Sequence, residues 1–273
     1  MNNKIAQKNY YDSCGNFDIL ELGTADGREN KYRKRFISRR AEAMAKLAGL
    51  DGGSTVLEVG CGTGIYTVHW IKSTKKLYGL DISRGMLVRL REKIEKTEKI
   101  DSDDLFLIEG DSERMPFRNR RFDAVMSVNT VEHLDDVPAA LREMRRVCRD
   151  GGKIVVSVPN GNFSAKYRAK LMQTIEWIAT RLVRGYARPE PARSHGDDFT
   201  HQDISMDDLT GAFAEAGIRV AQNGFMGFVP HQAIPAGVAR YLMWMEALER
   251  VFEMIPGLRS VGGVIIVCGV ADL

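Results

Sequence analysis

Between residues 54 and 160, short apolar segments of strand length alternate with longer segments of helical periodicity. The strand-like segments are STVLEVG (54–60), KLYGLDIS (76–83), LFLIEGD (105–111), RFDAVMSVNT (121–130) and KIVVSVPN (153–160). Such alternation is typical of a parallel sheet that is covered by helices on both faces and joined by right-handed crossovers. The sequence therefore predicts an α/β fold, in which ligands bind beyond the carboxyl ends of the strands.

Helix signals lie between these strands. Residues 31–50 have helical spacing and stop at DGG, and a helix is expected from about Ile65. Ser83 is placed to cap a helix in SRGMLVRLREKIEKT, and Pro138 stands where the next helix would begin. A further β-branched segment, VGGVIIVCGV (261–270), has strand length.

The first strand runs into a glycine-rich turn, VLEVGCGTG (56–64). A turn of this kind lets a ligand approach the backbone near a helix N-terminus. The pattern is GxGxG, and the third glycine of a dinucleotide fingerprint would fall at Ile65, which is too large for that role. The chain also contains no GxxxxGK[ST] phosphate-binding loop. An acid inside the strand, Glu58, suits a cationic ligand better than a pyrophosphate.

Two further acids end the next two strands. Asp81 follows Gly64 by 17 residues, a spacing at which a carboxylate can accept hydrogen bonds from a ribose diol. Asp111 ends the third strand and could accept from an exocyclic amine such as that of adenine. Together with the glycine turn, these acids predict a site for an adenosyl ligand.

These motifs resemble those of the class I S-adenosylmethionine-dependent methyltransferases, in particular the subgroup of ubiquinone/menaquinone-type methyltransferases. The resemblance rests on VLEVGCGTG, LYGLDIS, IEGDSERMPFRNRRFDAVMSVNTVEHLDD and EMRRVCRDGGKIVVSVPN, and it covers about residues 36–160. It implies a Rossmann-like, doubly wound, seven-stranded and mostly parallel sheet with an antiparallel last strand. It also implies S-adenosylmethionine as the cofactor, and the cationic sulfonium accounts for a glycine turn without Lys or Arg.

The resemblance further implies which residues meet the cofactor. Those beside the methionine moiety would be Glu58, Gly60, Cys61, Gly62 and Gly64; Asp81, with Ile82 beside it, would hold the ribose; and Asp111 with Ser112 would meet the adenine. Asn129, Thr130 and His133 would lie next to the cofactor and face the substrate.

Methyl transfer depends mainly on alignment of the reactants, and a base is needed only when the acceptor arrives protonated. The candidate bases are His133, His195 and His201. For each there is a structural alternative, because His133 could pack at a helix start and the SHGDDFTHQ segment (194–202) could be a solvated loop. Tyr11 is a candidate substrate-binding residue that could close over the cofactor, or it could simply anchor an N-terminal helix.

The whole chain, 1–273, is interpreted as one methyltransferase domain. Its parts are an N-terminal helical extension or lid (1–50), the cofactor-binding core (51–160), a helical cap insertion (161–203) and a C-terminal part (204–273). The segment 163–182 carries an apolar stripe, and Tyr167 and Trp177 of this segment are candidate substrate-binding residues. This stripe and a Met-rich segment at 236–258 could simply pack on the domain. Alternatively, they could contact a lipid-like or isoprenoid substrate or a membrane surface.

Composition narrows the functional classes. The net charge of +3 is too small to indicate a polyanionic partner, and no apolar run approaches the roughly 20 residues of a membrane span. The four cysteines are scattered, so no metal site is expected. We expect a cytoplasmic enzyme that methylates a small molecule, with peripheral membrane contact as an option. The alternatives are a nucleic-acid (RNA) methyltransferase and a non-catalytic or NAD-dependent Rossmann protein.

Overall fold

The computed structural model describes residues 3–13, 31–97, 104–161, 202–227 and 263–272. The helices in these ranges are α1 (Asn3–Ser13), α2 (Lys31–Ala48), α3 (Thr67–Trp70), α4 (Arg84–Glu95), α5 (Val137–Val147) and α6 (Met206–Glu215). The strands are β1 (Thr55–Val59), β2 (Lys76–Asp81), β3 (Leu105–Glu109), β4 (Phe122–Val128), β5 (Cys148–Pro159), β6 (Arg219–Met226) and β7 (Val264–Val270). Two 3₁₀ turns, Ile71–Ser73 and Val131–His133, follow α3 and β4.

The seven strands form one sheet in the order β3-β2-β1-β4-β5-β7-β6. Strands β1 to β5 pair in parallel, whereas β7 is antiparallel to both of its neighbours. The chain leaves β1 toward one side of the sheet and later returns to β4 on the other side. The order therefore reverses between β1 and β4, and a ligand crevice is expected at that point. The predicted α/β fold with an antiparallel last strand is confirmed.

Alternating side chains of the strands supply the core on both faces of the sheet. Leu57 of β1 packs in the cluster that includes residues of α5 and α6, and its neighbour Val56 packs in the cluster that includes α2 and Trp70 of α3. Strands buried on both faces are what a parallel sheet requires. The helical layers thus hold the strands in place and leave their carboxyl ends open to a ligand.

The predicted helix starts are also present. The Ser83 hydroxyl accepts a hydrogen bond from the Met86 N–H at 3.1 Å, and Pro138 lies in the first turn of α5. The helix expected from about Ile65 begins at Thr67, and after a 3₁₀ turn the chain is already extended at Thr74 to enter β2. Strand β5 begins at Cys148, five residues before the predicted start.

Helices α1 and α2 lie within the segment 1–50, for which an N-terminal helical extension is predicted. Residues 162–201, which make up most of the predicted cap, and the segment 236–258 lie outside the described residues. None of the described helices is both long and apolar enough to cross a membrane.

Candidate functional site

A cleft lies at the carboxyl ends of the central strands, where the strand order reverses, and encloses about 140 Å³. The predicted site residues that line it are Tyr11, Glu58, Gly60, Cys61, Gly62, Asp81, Ile82, Asp111, Ser112, Asn129, Thr130 and His133. Gly64 is not part of this lining. His195, His201, Tyr167 and Trp177 fall outside the described residues.

The glycine turn is shaped by three left-handed residues, with φ of 71° at Gly60, 51° at Gly62 and 80° at Gly64. The N–H groups of Gly60 and Cys61 both donate to the carbonyl of Leu80. These bonds tie the turn to the end of β2. A Cβ on Gly64 would lie 2.1 Å from Leu90 Cδ1, so this glycine permits close packing of α4 on the turn. Packing therefore requires a glycine at position 64. The sequence pattern alone did not distinguish this structural role from contact with a ligand.

Replacing Gly60 with Ala should lower the free energy of unfolding by more than about 1–2 kcal/mol, the cost of a left-handed L-residue. The excess arises because the new Cβ would lie 2.1 Å from Thr130 Oγ1. Gly62→Ala is the matched control, since Gly62 is also left-handed but its Cβ would meet nothing within 4 Å. Denaturant titration of both variants measures the difference. Equal losses would show that Thr130 moves aside without cost.

Glu58 is buried, with 2% of its surface exposed. Its Oε2 accepts a hydrogen bond from Thr67 Oγ1 at 2.6 Å. The pKa of Glu58 is raised to about 8, chiefly by burial; the Thr67 bond partly opposes this effect, and the charge of Asp81 adds to it. The ligand-free site thus holds this carboxyl protonated at neutral pH. Burial also raises the pKa of the Cys61 thiol well above its usual value, so Cys61 is a small apolar wall of the cleft.

Asp81 organises the turns on either side of it. Its Oδ2 accepts from the Gly62 N–H at 2.8 Å, and its Oδ1 accepts from the Ser83 N–H at 2.9 Å. Burial raises the pKa of Asp81, and these two N–H groups oppose the increase. A carboxylate has about four acceptor positions, so both oxygens can accept a further bond from a ligand.

Asp111 forms an ion pair with a lysine of the N-terminal helix α1. Lys4 Nζ lies 2.7 Å from Asp111 Oδ2 and 2.7 Å from Glu113 Oε2. The other carboxylate oxygen, Oδ1, accepts from the Glu113 N–H at 2.9 Å. An incoming amine would therefore share Asp111 with Lys4, a partner that the sequence analysis did not identify.

Helix α1 covers the cleft through contacts to several loops. Gln7 Nε2 donates to the His133 carbonyl, and the Tyr11 ring lies edge-on to the His133 ring at 6.4 Å. Asp12 Oδ1 accepts from Ser83 Oγ at 2.6 Å and from the Gly85 N–H at 2.9 Å. Helix α1 has little apolar surface. Its polar side chains instead hold it over the mouth of the cleft through hydrogen bonds.

A buried cation behind the cleft was also missed. Arg40 is 2% exposed and donates to Ser157 Oγ, to Tyr66 OH and to Asn129 Oδ1. In the sequence it belongs to the basic run RKRFISRR, which suggests a solvated surface. The signal that could have found it is helical spacing, because Phe36 and Met44, four residues to either side, are both buried.

No group of three or more metal-ligating side chains occurs among the residues that the structure describes. The polar groups at the strand ends are carboxylates, an amide, hydroxyls and backbone N–H groups. They suit an organic ligand that carries hydroxyl, amine and cationic groups.

The family model described as a methyltransferase domain matches residues 57–156. A demethylmenaquinone methyltransferase of Mycolicibacterium gilvum is 31% identical over 198 residues, which are 67% of this chain and 77% of the relative. Another, from Mycolicibacterium paratuberculosis, is 31% identical over 168 residues, 60% of this chain and 65% of that relative.

Among solved structures, the geranyl diphosphate C-methyltransferase of Streptomyces coelicolor A3(2) superposes with a TM-score of 0.60 at 13% identity, covering 99% of this chain and 98% of that one. At this identity the match concerns the fold. That structure contains S-adenosyl-L-homocysteine. Because the relative from Mycolicibacterium gilvum, the family model and the fold agree, the chain belongs to the class I S-adenosylmethionine-dependent methyltransferases, in the ubiquinone/menaquinone-type subgroup.

Proposed function

We propose that this protein methylates a reduced, isoprenoid-bearing quinone, with S-adenosylmethionine as the methyl donor. The observation that carries the proposal is one cleft with carboxyl groups from three adjacent strand ends, Glu58, Asp81 and Asp111, on a methyltransferase fold. The quinone class is supported by the relatives named demethylmenaquinone methyltransferases. The structural neighbour that binds geranyl diphosphate supports an isoprenoid chain.

The residues of the cleft fit this cofactor. Gly62 lines the cleft, and an added Cβ there would meet nothing within 4 Å, so the methionine moiety can approach the backbone at this glycine. Glu58 is a buried acid that a cationic ligand would stabilise in its charged form. We propose that Asp81 and Ile82 hold the ribose and that Asp111 and Ser112 meet the adenine. When bound, the cofactor supplies an activated methyl group and leaves as a neutral thioether.

The chain's own residues align the reactants and limit the access of water. Helix α1 lies over the cleft through Gln7 and Tyr11, while Asn129, Thr130 and His133 form the wall after β4. Alignment of two reactants can contribute roughly 7–11 kcal/mol to catalysis. His133 remains the candidate base within the described residues. Peripheral contact with a membrane, which rests on segments outside them, also stays a prediction.

S-adenosylmethionine and S-adenosylhomocysteine should bind in the micromolar range, and NAD should bind much more weakly. The reason is that the turn offers a buried acid to a cationic ligand and lacks the third glycine of a dinucleotide site. Isothermal titration calorimetry with the three ligands measures this. Tighter binding of NAD would refute the cofactor assignment.

The acceptor is tested with the full-length protein and S-adenosylmethionine that carries a labelled methyl group. We expect label in a short-chain demethylmenaquinol kept reduced by dithionite, and none in the same compound left oxidised. The reduced ring is electron-rich, whereas the quinone ring is electron-poor and attacks an electrophile poorly. Total RNA serves as the competing acceptor. Labelled RNA together with an unlabelled quinol would overturn the proposed substrate class.

A further inference from the structure

We propose that Arg40 and Asn129 form a subsite that binds an acceptor oxygen in its ionised form. The inference rests on the proposed function, because it concerns the hydroxyl of the acceptor. It assigns a role to a buried cation that family resemblance and composition did not indicate. Arg40 acts through Asn129 and is a positioning residue, while Asn129 lines the cleft itself.

The first observation is that the guanidinium of Arg40 is buried among neutral partners. Its Nε and Nη2 donate to Ser157 Oγ at 2.9 and 2.7 Å, and its Nη1 donates to Tyr66 OH at 3.3 Å. Within the described residues, no carboxylate pairs with it. A buried charge is costly unless it is compensated. The hydrogen bonds of Arg40 and the Tyr66 ring, whose centroid lies 5.6 Å from Cζ, stabilise the charge but do not neutralise it, so this side of the cleft favours a negatively charged ligand.

The second observation is the orientation of Asn129. A guanidinium has only donors, so the contact at 2.8 Å from Arg40 Nη2 must be made by the amide oxygen. This fixes the amide group with its nitrogen turned away from Arg40. Within the described part of the chain, Nδ2 has no hydrogen-bond partner. The side chain is exposed in the cleft, so the nitrogen is available to a ligand as a donor.

The third observation is that the backbone holds this residue in an uncommon conformation. Asn129 has φ of 50°, a region that Asn and Asp adopt more readily than other non-glycine residues. Its N–H donates to the Ser157 carbonyl at 2.9 Å, and Ser157 Oγ is the oxygen that Arg40 contacts. Backbone and side chain of Asn129 are therefore fixed by the same neighbours. The donor is held in place before the acceptor arrives, which is the arrangement that stabilises an anion without reorganisation.

These contacts define the chemistry of the ligand. A donor backed by a buried cation favours an oxyanion over a hydroxyl group. For a quinol, the O–H bond breaks, the electron pair stays on the oxygen and the proton passes to water or buffer. The phenolate then directs electron density to the ring carbon that takes the methyl group: as the new carbon–carbon bond forms, the methyl–sulfur bond would break, and the ring carbon would then lose its proton to solvent while the oxygen regains one, which restores the aromatic quinol. The subsite thus selects acceptors with an ionisable hydroxyl next to the reacting atom.

Other charged or titratable groups lie on the elements that carry the subsite and on the neighbouring ones, and they set the background for any pH dependence. They are Arg33 and Arg39 on α2, Glu58 on β1, Tyr66 at the N-cap of α3, His69 within α3, and Glu132 and His133 in the 3₁₀ turn after β4. Burial raises the pKa of Glu58 to about 8, so this acid is largely neutral near pH 7. Burial lowers the pKa of His69. Variants of Arg40 and Asn129 isolate the subsite from this background because they leave all of these groups in place.

The test uses 4-nitro-1-naphthol, a redox-stable hydroxynaphthalene whose ionisation is read from its visible absorbance. It is titrated with pH in complex with the full-length protein and S-adenosylhomocysteine. In the wild-type complex, we expect the pKa of the bound probe to lie at least about one unit below that of the free probe, equivalent to a tenfold change in ionisation. Arg40→Lys should retain most of this shift, because it preserves the positive charge.

Asn129→Asp should reverse the shift and raise the pKa of the bound probe. The new carboxylate keeps the bond to Arg40, tolerates the left-handed backbone and neutralises the cation. Its melting temperature should therefore not fall, which separates this effect from misfolding. Arg219→Gln, which removes an exposed arginine paired with Asp272 at the edge of the sheet, is the matched control and should resemble the wild type.

The outcomes are distinct from those of the quinol assay. An Asn129→Asp protein that ionises the probe like the wild type overturns the subsite, even when demethylmenaquinol is methylated. A wild-type complex that does not bind the probe, or binds it without lowering its pKa, also overturns it. A lowered pKa together with an inert quinol supports the subsite and shows that the proposed substrate is wrong.

Discussion

Replacing Asp81 with Ala should weaken binding of S-adenosylhomocysteine at least about 100-fold. The substitution would remove the two charge-assisted hydrogen bonds that we propose between Asp81 and the ribose, each worth roughly 1.5–3 kcal/mol. The structure adds a second cause, because Asp81 also accepts from the N–H groups of Gly62 and Ser83. Without it, the glycine turn and the start of α4 lose their common anchor. Calorimetry gives the affinity, and thermal unfolding shows whether the fold persists.

The control for this change is Glu109→Ala. Glu109 pairs in register with Asp81 on the adjacent strand, and its carboxylate contacts Lys8. Its removal deletes a carboxyl group at the same edge of the sheet and should change the affinity less than threefold. Asp81→Asn should lie between these variants, since the amide keeps one acceptor oxygen. An Asp81→Ala protein with wild-type affinity would show that another residue holds the ribose.

The parts of this molecule that were predictable from sequence are those set by local patterns. Alternating strands and helices, the cap at Ser83 and Pro138 at the start of α5 all depend on residues near one another in the chain. The acids at the ends of β1, β2 and β3 were predictable in the same way, because each is identified by its position after or within a strand-like segment. Parallel strands bring their carboxyl ends to one edge, so position in the sequence translates directly into position in the cleft.

The parts that were missed depend on contacts between distant residues. Lys4 and Asp111 are 107 positions apart, and Arg40 and Ser157 are 117 apart. No local pattern indicates that an N-terminal lysine reaches the third strand. The burial of Glu58 was also not predictable, because the sequence shows an acid in a strand but not that the surrounding helices remove its side chain from water. Its raised pKa follows only from the assembled fold.

The buried carboxyl of Glu58 should make the ligand-free protein less stable as pH rises. Its pKa is about 8 in the folded protein, above the ordinary value of 4.5. Between these values, the folded state holds a proton that the unfolded state has released, so the free energy of unfolding decreases with increasing pH. The contribution is fully present below about pH 4.5 and is lost by about pH 8. The slope is on the order of 1.4 kcal/mol per pH unit inside this window.

Glu58→Gln should abolish most of this slope. The amide resembles the protonated carboxyl and its oxygen can still accept from Thr67 Oγ1. Above pH 8 the variant should melt several degrees higher than the wild type, since about 1 kcal/mol corresponds to roughly 2–4 °C in a protein of this size. Burial also raises the pKa of Asp81, so a smaller slope in the same direction should remain. Glu92→Gln, an exposed change on α4, controls for the loss of an acid elsewhere.

The same carboxyl should couple cofactor binding to pH. A cationic ligand favours the charged form of Glu58, so binding should release a proton, and affinity should rise by up to about tenfold per pH unit below pH 8. Calorimetry of S-adenosylmethionine binding in two buffers of different ionisation enthalpy counts that proton. In Glu58→Gln the proton release should vanish and the affinity should become nearly independent of pH between 6 and 8. A wild-type protein that releases no proton on binding would show that Glu58 remains neutral beside the cofactor, and its place near the methionine moiety would have to be abandoned.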